Sequence, residues 1–245
     1  MRAERSAIPR QALVSLLAQA EQAAAEGDEA RARSLLSDLH WFAHADGELH
    51  QAMHRLELTL ARRRGDRRAA IGQLLPNAFA RLVSFVESRG PSHEVVQSIE
   101  APPEAVYQAI SDVASYAEWN PWVVGGHGAA TRVGEELTVD VRVGKKKMRV
   151  GHRMIVASPP ERFGWHDLGW FTWLACGRRL RWIEPSPEGT RLVGQIRLYG
   201  PLAHLAWRLH GESIRAGMAA EATALAKRAV ALARATPIAR VGSAA

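Results

Sequence analysis

The chain has 245 residues, 47% of them hydrophobic, with a formal net charge of +7 and a single cysteine, Cys176. That length holds one large domain or two small ones, with enough apolar residues for a sizeable core. One cysteine excludes a disulfide framework and a cysteine-built metal site. The N-terminal stretch "MRAERSAIPRQALVSLLAQAEQ" has an apolar run too short for a signal segment or a membrane span, so a soluble, cytoplasmic protein is expected.

Residues 8 to 88 read as helix. Leu13, Leu16, Leu17 and Ala20 have helical spacing. A second helix starts in "EGDEARARSLLSDLHWFAH", with Asp28 as its N-cap. "ADGELHQAMHRLELTLARRR" carries a turn and a third helix. A fourth starts at Asp66, and Pro76 should kink or divide it. The Gly-Asp steps at 27–28 and 65–66 lie 38 residues apart, which suggests two stacked helical hairpins. The basic cluster "ARRRGDRR" reads as a solvated helix end and helix start, because no nucleic-acid motif or interleaved aromatic accompanies it.

The pattern changes at Gly90-Pro91, a punctuation that marks a domain boundary. The expected division is 1–90, 91–236 and a disordered tail at 237–245. In "SYAEWNPWV" a helix should end near Trp119, because Pro121 pushes the residue before it out of the α region; an extended segment should begin at Trp122. Beyond it the period is two. Leu137, Val139, Val141 and Val143 share a face; so do Met148, Val150, His152, Met154 and Val156; so do Leu192, Gly194, Ile196 and Leu198. Pro201 then opens an alanine-rich helix to about Ala235.

This order resembles the START-like helix-grip superfamily (SRPBCC), and within it the polyketide cyclase/dehydrase-like proteins. The resemblance rests on "SIEAPPEAVYQAISDVASYAEWNPWV", "VASPPERFGWHD", "WIEPSPEGTRLVGQIRLYG" and the long final helix, and covers about residues 93 to 235. It implies an α+β fold: a curved antiparallel sheet gripping the C-terminal helix around a hydrophobic cavity, here preceded by an all-α domain of about four helices. It also implies that Trp119 plugs one end of the core and Trp122 enters the sheet. Residues 8 to 88 resemble an uncharacterised family of small helical proteins, on "LHWFAHADGELHQAMHRL" and "RRRGDRRAAIGQLL", which supplies no function.

If the period-two faces point inward, the cavity is walled by Val139, Val141, Val150, Met154, Ile196 and Leu198, with Gly194 opening room in mid-strand. His152 is the one titratable group on its strand face: either a satisfied core histidine or a ligand-orienting acid or base. Trp165, Trp170 and Trp173 suit an aromatic pocket mouth or simple core filling, and Trp122, at the Asn-Pro corner, is a further candidate for ligand binding. In "CGRRLRWIEP" either Arg179 and Arg181 or Leu180 and Trp182 face inward; the second choice avoids burying an unpaired arginine. Among proteins of the superfamily an acidic residue often stands where Ile196 does, a departure that tells against catalysis.

The helical half carries a second constellation. His40 and His44, then His50 and His54, are each spaced i, i+4, with "ADGE" between the pairs. An antiparallel hairpin would bring the four together, with Glu48 as an added carboxylate. Such a group suits Zn²⁺, Ni²⁺ or Cu²⁺, or else forms a polar helix interface. Three functions follow: a binder of a lipid-like or aromatic small molecule; a polyketide cyclase or dehydratase; or a metal-responsive or partner-docking protein acting through the histidines. No nucleic-acid partner is expected.

Overall fold

The computed structural model describes residues 8–144 and 146–235, so the tail expected at 237–245 lies outside the described residues. Five helices come first: α1 (Arg10–Glu26), α2 (Glu29–Ala43), α3 (Gly47–Arg63), α4 (Arg67–Gly72) and α5 (Leu74–Ser88). Asp28, Asp46 and Asp66 cap α2, α3 and α4, each side chain accepting a backbone N–H of the first turn. The fourth expected helix is divided, but at Gln73 rather than at Pro76. Pro76 sits in the first turn of α5, where no intrahelical N–H is needed.

Seven strands follow: β1 (Ser92–Ile99), β2 (Val123–Gly128), β3 (Glu136–Val143), β4 (Lys146–Ser158), β5 (Arg162–Leu168), β6 (Cys176–Ser186) and β7 (Gly189–Tyr199). They form one antiparallel sheet in the order β1-β7-β6-β5-β4-β3-β2. Two short helices, α6 (Pro103–Ser111) and α7 (Tyr116–Trp119), link β1 to β2, and α8 (Ala203–Ala235) closes the chain. The sheet curls around α8, which buries Gly211, Met218, Ala222, Leu225 and Ala229 toward it. The small residues among them, Gly211, Ala222 and Ala229, let the helix sit close to its neighbours.

The helical half covers the outer face of this sheet. Trp182 and Val193 share one cluster with Leu36, Leu39 and Met53, and Ile155, Val156 and Leu180 pack against Trp41 and Phe42. Buried Asp38 accepts from Ser158 Oγ and from Arg162 Nε at 2.9 Å. The connection at 89–91 is tight: a Cβ on Gly90 would lie 2.6 Å from the Leu198 carbonyl oxygen. Among the described residues one stretch, 67–88, meets the length and hydropathy of a membrane span, weakly, at a hydropathy of 1.3. It breaks at Gln73 and buries Ala80 and Ser84.

Where the helices cover β4 and β6 both sheet faces are therefore buried, and this overturns two expected registers. Arg179 and Arg181 face α8, while Leu180 and Trp182 face the helical half. A bulge between Met154 and Val156 turns Val156 to the outer face, away from Met154.

Candidate functional site

A cavity of about 350 Å³ lies between the sheet and α8. Its wall is mostly apolar: Val139, Val141, Val150, Ile196 and Leu198 from the strands, Ile214 from the helix, and the Trp122 and Trp165 rings. The Trp-Asn-Pro-Trp corner places Trp122. Asn120 Oδ1 accepts from the backbone N–H groups of Trp122 and Val123 at 3.0 and 2.8 Å, which turns the chain into β2. The indole then lies against α8 at Gly217, where a Cβ would meet it at 2.4 Å. Trp119 packs on the core and donates to Ser115 Oγ.

A few polar groups also line the cavity. His152 Nδ1 sits 3.1 Å from Asp167 Oδ1, and the ring stacks on Trp165 at 5.3 Å between centroids. Asp167 Oδ2 accepts from Gly177 N at 2.7 Å, which fixes the carboxylate. Arg179 also lines the cavity, 4.7 Å over the Trp122 ring. It donates to Glu221 Oε2 at 2.7 Å, and Arg181 donates to Oε1 at 2.8 Å. Burial raises the Glu221 carboxyl, but the two guanidinium charges outweigh burial and hold it below its ordinary value. Burial and the neighbouring Arg181 together lower Arg179.

In the helical half the four imidazoles meet. His40 and His44 approach Nε2 to Nε2 at 3.1 Å, and so do His50 and His54. Behind the rings, His54 Nδ1 lies 2.9 Å from Gln73 Oε1, His50 Nδ1 lies 3.0 Å from Ser84 Oγ, and His44 Nδ1 lies 2.7 Å from Glu87 Oε2. Burial first, then the other imidazoles, push His40 down to about 2 and His50 to about 4. Glu87 also reaches Arg178 on β6 at 3.3 Å. Glu48, the carboxylate expected here, points away to Arg10; Glu87 of α5 takes that place.

Residues 99–175 match a family model described as "Polyketide cyclase / dehydrase and lipid transport". That stretch is the part of the helix-grip fold similar to this family. Residues 8–92 match a model described as a protein of unknown function (DUF3703). Two solved structures share the helix-grip fold. One is the di-domain ARO/CYC BexL from the BE-7585A biosynthetic pathway, at 18% identity and a TM-score of 0.50, covering 71% of this chain and 61% of that one. The other is the di-domain ARO/CYC StfQ from the steffimycin biosynthetic pathway, at 12% identity and a TM-score of 0.50, covering 72% and 60%. The chain thus spans about three fifths of the length of these two proteins. No curated protein matches the chain at significance.

Of the residues expected at the helix-grip cavity, Trp122, Val139, Val141, Val150, His152, Trp165, Ile196 and Leu198 line it. Four lie elsewhere. Met154 is buried in the main core beyond the cavity. Gly194 faces Val95 and Met218, so its missing side chain admits β1 and α8 rather than a ligand. Trp170 and Trp173 stand on a 3-10 turn at 79% and 68% exposure, while Phe171 between them turns inward. Asp167 and Glu221 went unnoticed in the sequence. Asp167 stands on the same strand face as Trp165, and Glu221 is the lone acid in an alanine-rich stretch of α8. Those were the available signals.

Proposed function

We propose that the protein binds a small hydrophobic molecule, lipid-like or aromatic, in the cavity of its helix-grip domain. The observation that carries this reading is a mostly apolar chamber of about 350 Å³ whose few polar lining groups are His152, Asp167, Arg179 and His210. Its size falls within the range of small-molecule sites, and a few polar groups in an apolar wall would orient a ligand that is otherwise apolar. The family description and the ARO/CYC neighbours support it. The reading includes a cytoplasmic setting for the ligand.

A second reading, a cyclase or dehydratase, is favoured by the His152–Asp167 pair. An imidazole close to a carboxylate at the wall of an apolar chamber is suited to moving a proton on an enolisable substrate. Arg179 beside it would favour a developing oxyanion.

Uptake of the neutral probe N-phenyl-1-naphthylamine tests the first reading. Wild-type protein is expected to bind one equivalent with a rise in fluorescence. Val141→Trp, which fills the chamber from β3, is expected to weaken binding roughly tenfold or more while the circular dichroism spectrum is kept. Leu82→Ser, on the exposed face of α5, should leave uptake unchanged. Equal binding by wild type and Val141→Trp would move the site out of the cavity.

A further inference from the structure

We propose that His40, His44, His50 and His54 form a binding site for a divalent first-row transition cation, of the Zn²⁺, Cu²⁺ or Ni²⁺ class, at the seam between the two halves. The site stands apart from the cavity and does not depend on the proposed ligand.

The geometry is that of a ligand set. α2 supplies one i, i+4 pair and α3 the other, and the Asp46 cap fixes the turn between them. Donor atoms of His40, His44 and His50 all lie within 4.8 Å of one another. His54 closes the group, its ring 4.8 Å from that of His50 and 5.4 Å from that of His40. A tetrahedral Zn–N site needs nitrogens about 3.4 Å apart, and the two Nε2 pairs already stand at 3.1 Å. Small outward shifts would admit an ion.

The groups behind the rings favour the same assignment. Gln73 and Ser84 lie within hydrogen-bond distance of the Nδ1 atoms of His54 and His50, and Glu87 lies near that of His44, so Nε2 of each ring is left to face a neighbouring imidazole. Metal-binding histidines are usually held this way, with the second ring nitrogen on an outer acceptor. Neutral imidazoles with no thiolate select borderline cations over Mg²⁺ or Ca²⁺. The one cysteine takes no part, since Cys176 bonds to the Tyr199 hydroxyl. Glu87 supplies negative charge beside the site and pairs with Arg178 of β6. Occupancy would thereby tie the helical half to the helix-grip sheet.

A hydrogen-bonded histidine network without metal has the same contacts, so the test must detect the ion. Full-length protein stripped with a chelator would be titrated with ZnCl₂, NiCl₂ and CuCl₂ by calorimetry, and with CoCl₂ by visible absorption. One equivalent of at least one cation, a rise in melting temperature and tetrahedral Co²⁺ bands without a thiolate charge-transfer band are expected. The double variant His50→Gln, His54→Gln should lose all three; if it fails to fold, His40→Gln, a milder change on α2, is read instead. His127→Gln, an exposed histidine on β2, should behave as wild type. Absence of stoichiometric binding of all the cations would overturn the proposal. So would binding that persists in the histidine-cluster variants.

Discussion

Replacing Glu221 with alanine is expected to lower folding stability by about 3–5 kcal/mol, the usual cost of breaking a buried ion pair from one side. Glu221 is 2% exposed and is the shared acceptor of Arg179 and Arg181, both themselves buried. Without it two guanidinium groups remain charged in the core, because arginine does not release its proton at accessible pH. Urea unfolding would give the difference directly. Glu221→Gln keeps the shape and an acceptor oxygen but not the charge, and should fall between wild type and alanine. The pH dependence has a definite sign. The folded carboxyl is held below its ordinary value, so its contribution is complete above about pH 4.3 and lost as pH falls through the folded value. The gap between wild type and Glu221→Gln should therefore narrow in acid. Equal urea midpoints for wild type and Glu221→Ala at pH 7 would mean that the two arginines are solvated.

The helical half and the helix-grip domain are expected to unfold together. Asp38 of α2 holds Ser158 and Arg162, Phe42 meets Trp182 edge to face at 5.2 Å, and Arg197 donates to the Glu87 carbonyl. A chain that starts at Ser92 would expose Ile155, Leu180, Trp182 and Val193 on one sheet face, a patch that favours aggregation. Far-ultraviolet circular dichroism and tryptophan fluorescence should give one coincident thermal transition for the full chain. Two separated transitions, or a soluble monomeric 92–235 fragment, would contradict this.

That shared face also explains what the sequence withheld. Period-two alternation predicts register when one sheet face is buried and the other is wet. On β3 and β7 the rule held, because Thr138, Arg142, Gln195 and Arg197 mark the outer face clearly. On β6 it failed. Leu180 and Trp182 are outward and buried, while Arg179 and Arg181 are inward and paired to a residue some 40 positions later in the chain. No local pattern reveals such a partner. The bulge that turns Val156 outward is equally hidden. By contrast, the Trp-Asn-Pro-Trp corner and the histidine hairpin were legible, because an Asx turn and i, i+4 spacing are local. Glu87 was missed beside His44 since it reaches the cluster from α5, and Asp167 beside His152 since it comes from the next strand.

Methyl nuclear magnetic resonance tests the central claim, that the helix-grip cavity takes up an apolar molecule. Isoleucine, leucine and valine methyl spectra would be recorded while a small neutral aromatic such as 2-naphthol is added. The cavity predicts saturable shifts at Val139, Val141, Val150, Ile196 and Leu198, whose side chains line it. The exposed apolar faces of the protein offer the competing explanation: Leu75, Leu82 and Val86 on α5, and Leu205 and Leu209 on α8. Shifts confined to those five residues, with the cavity methyls unmoved at saturation, would contradict the account.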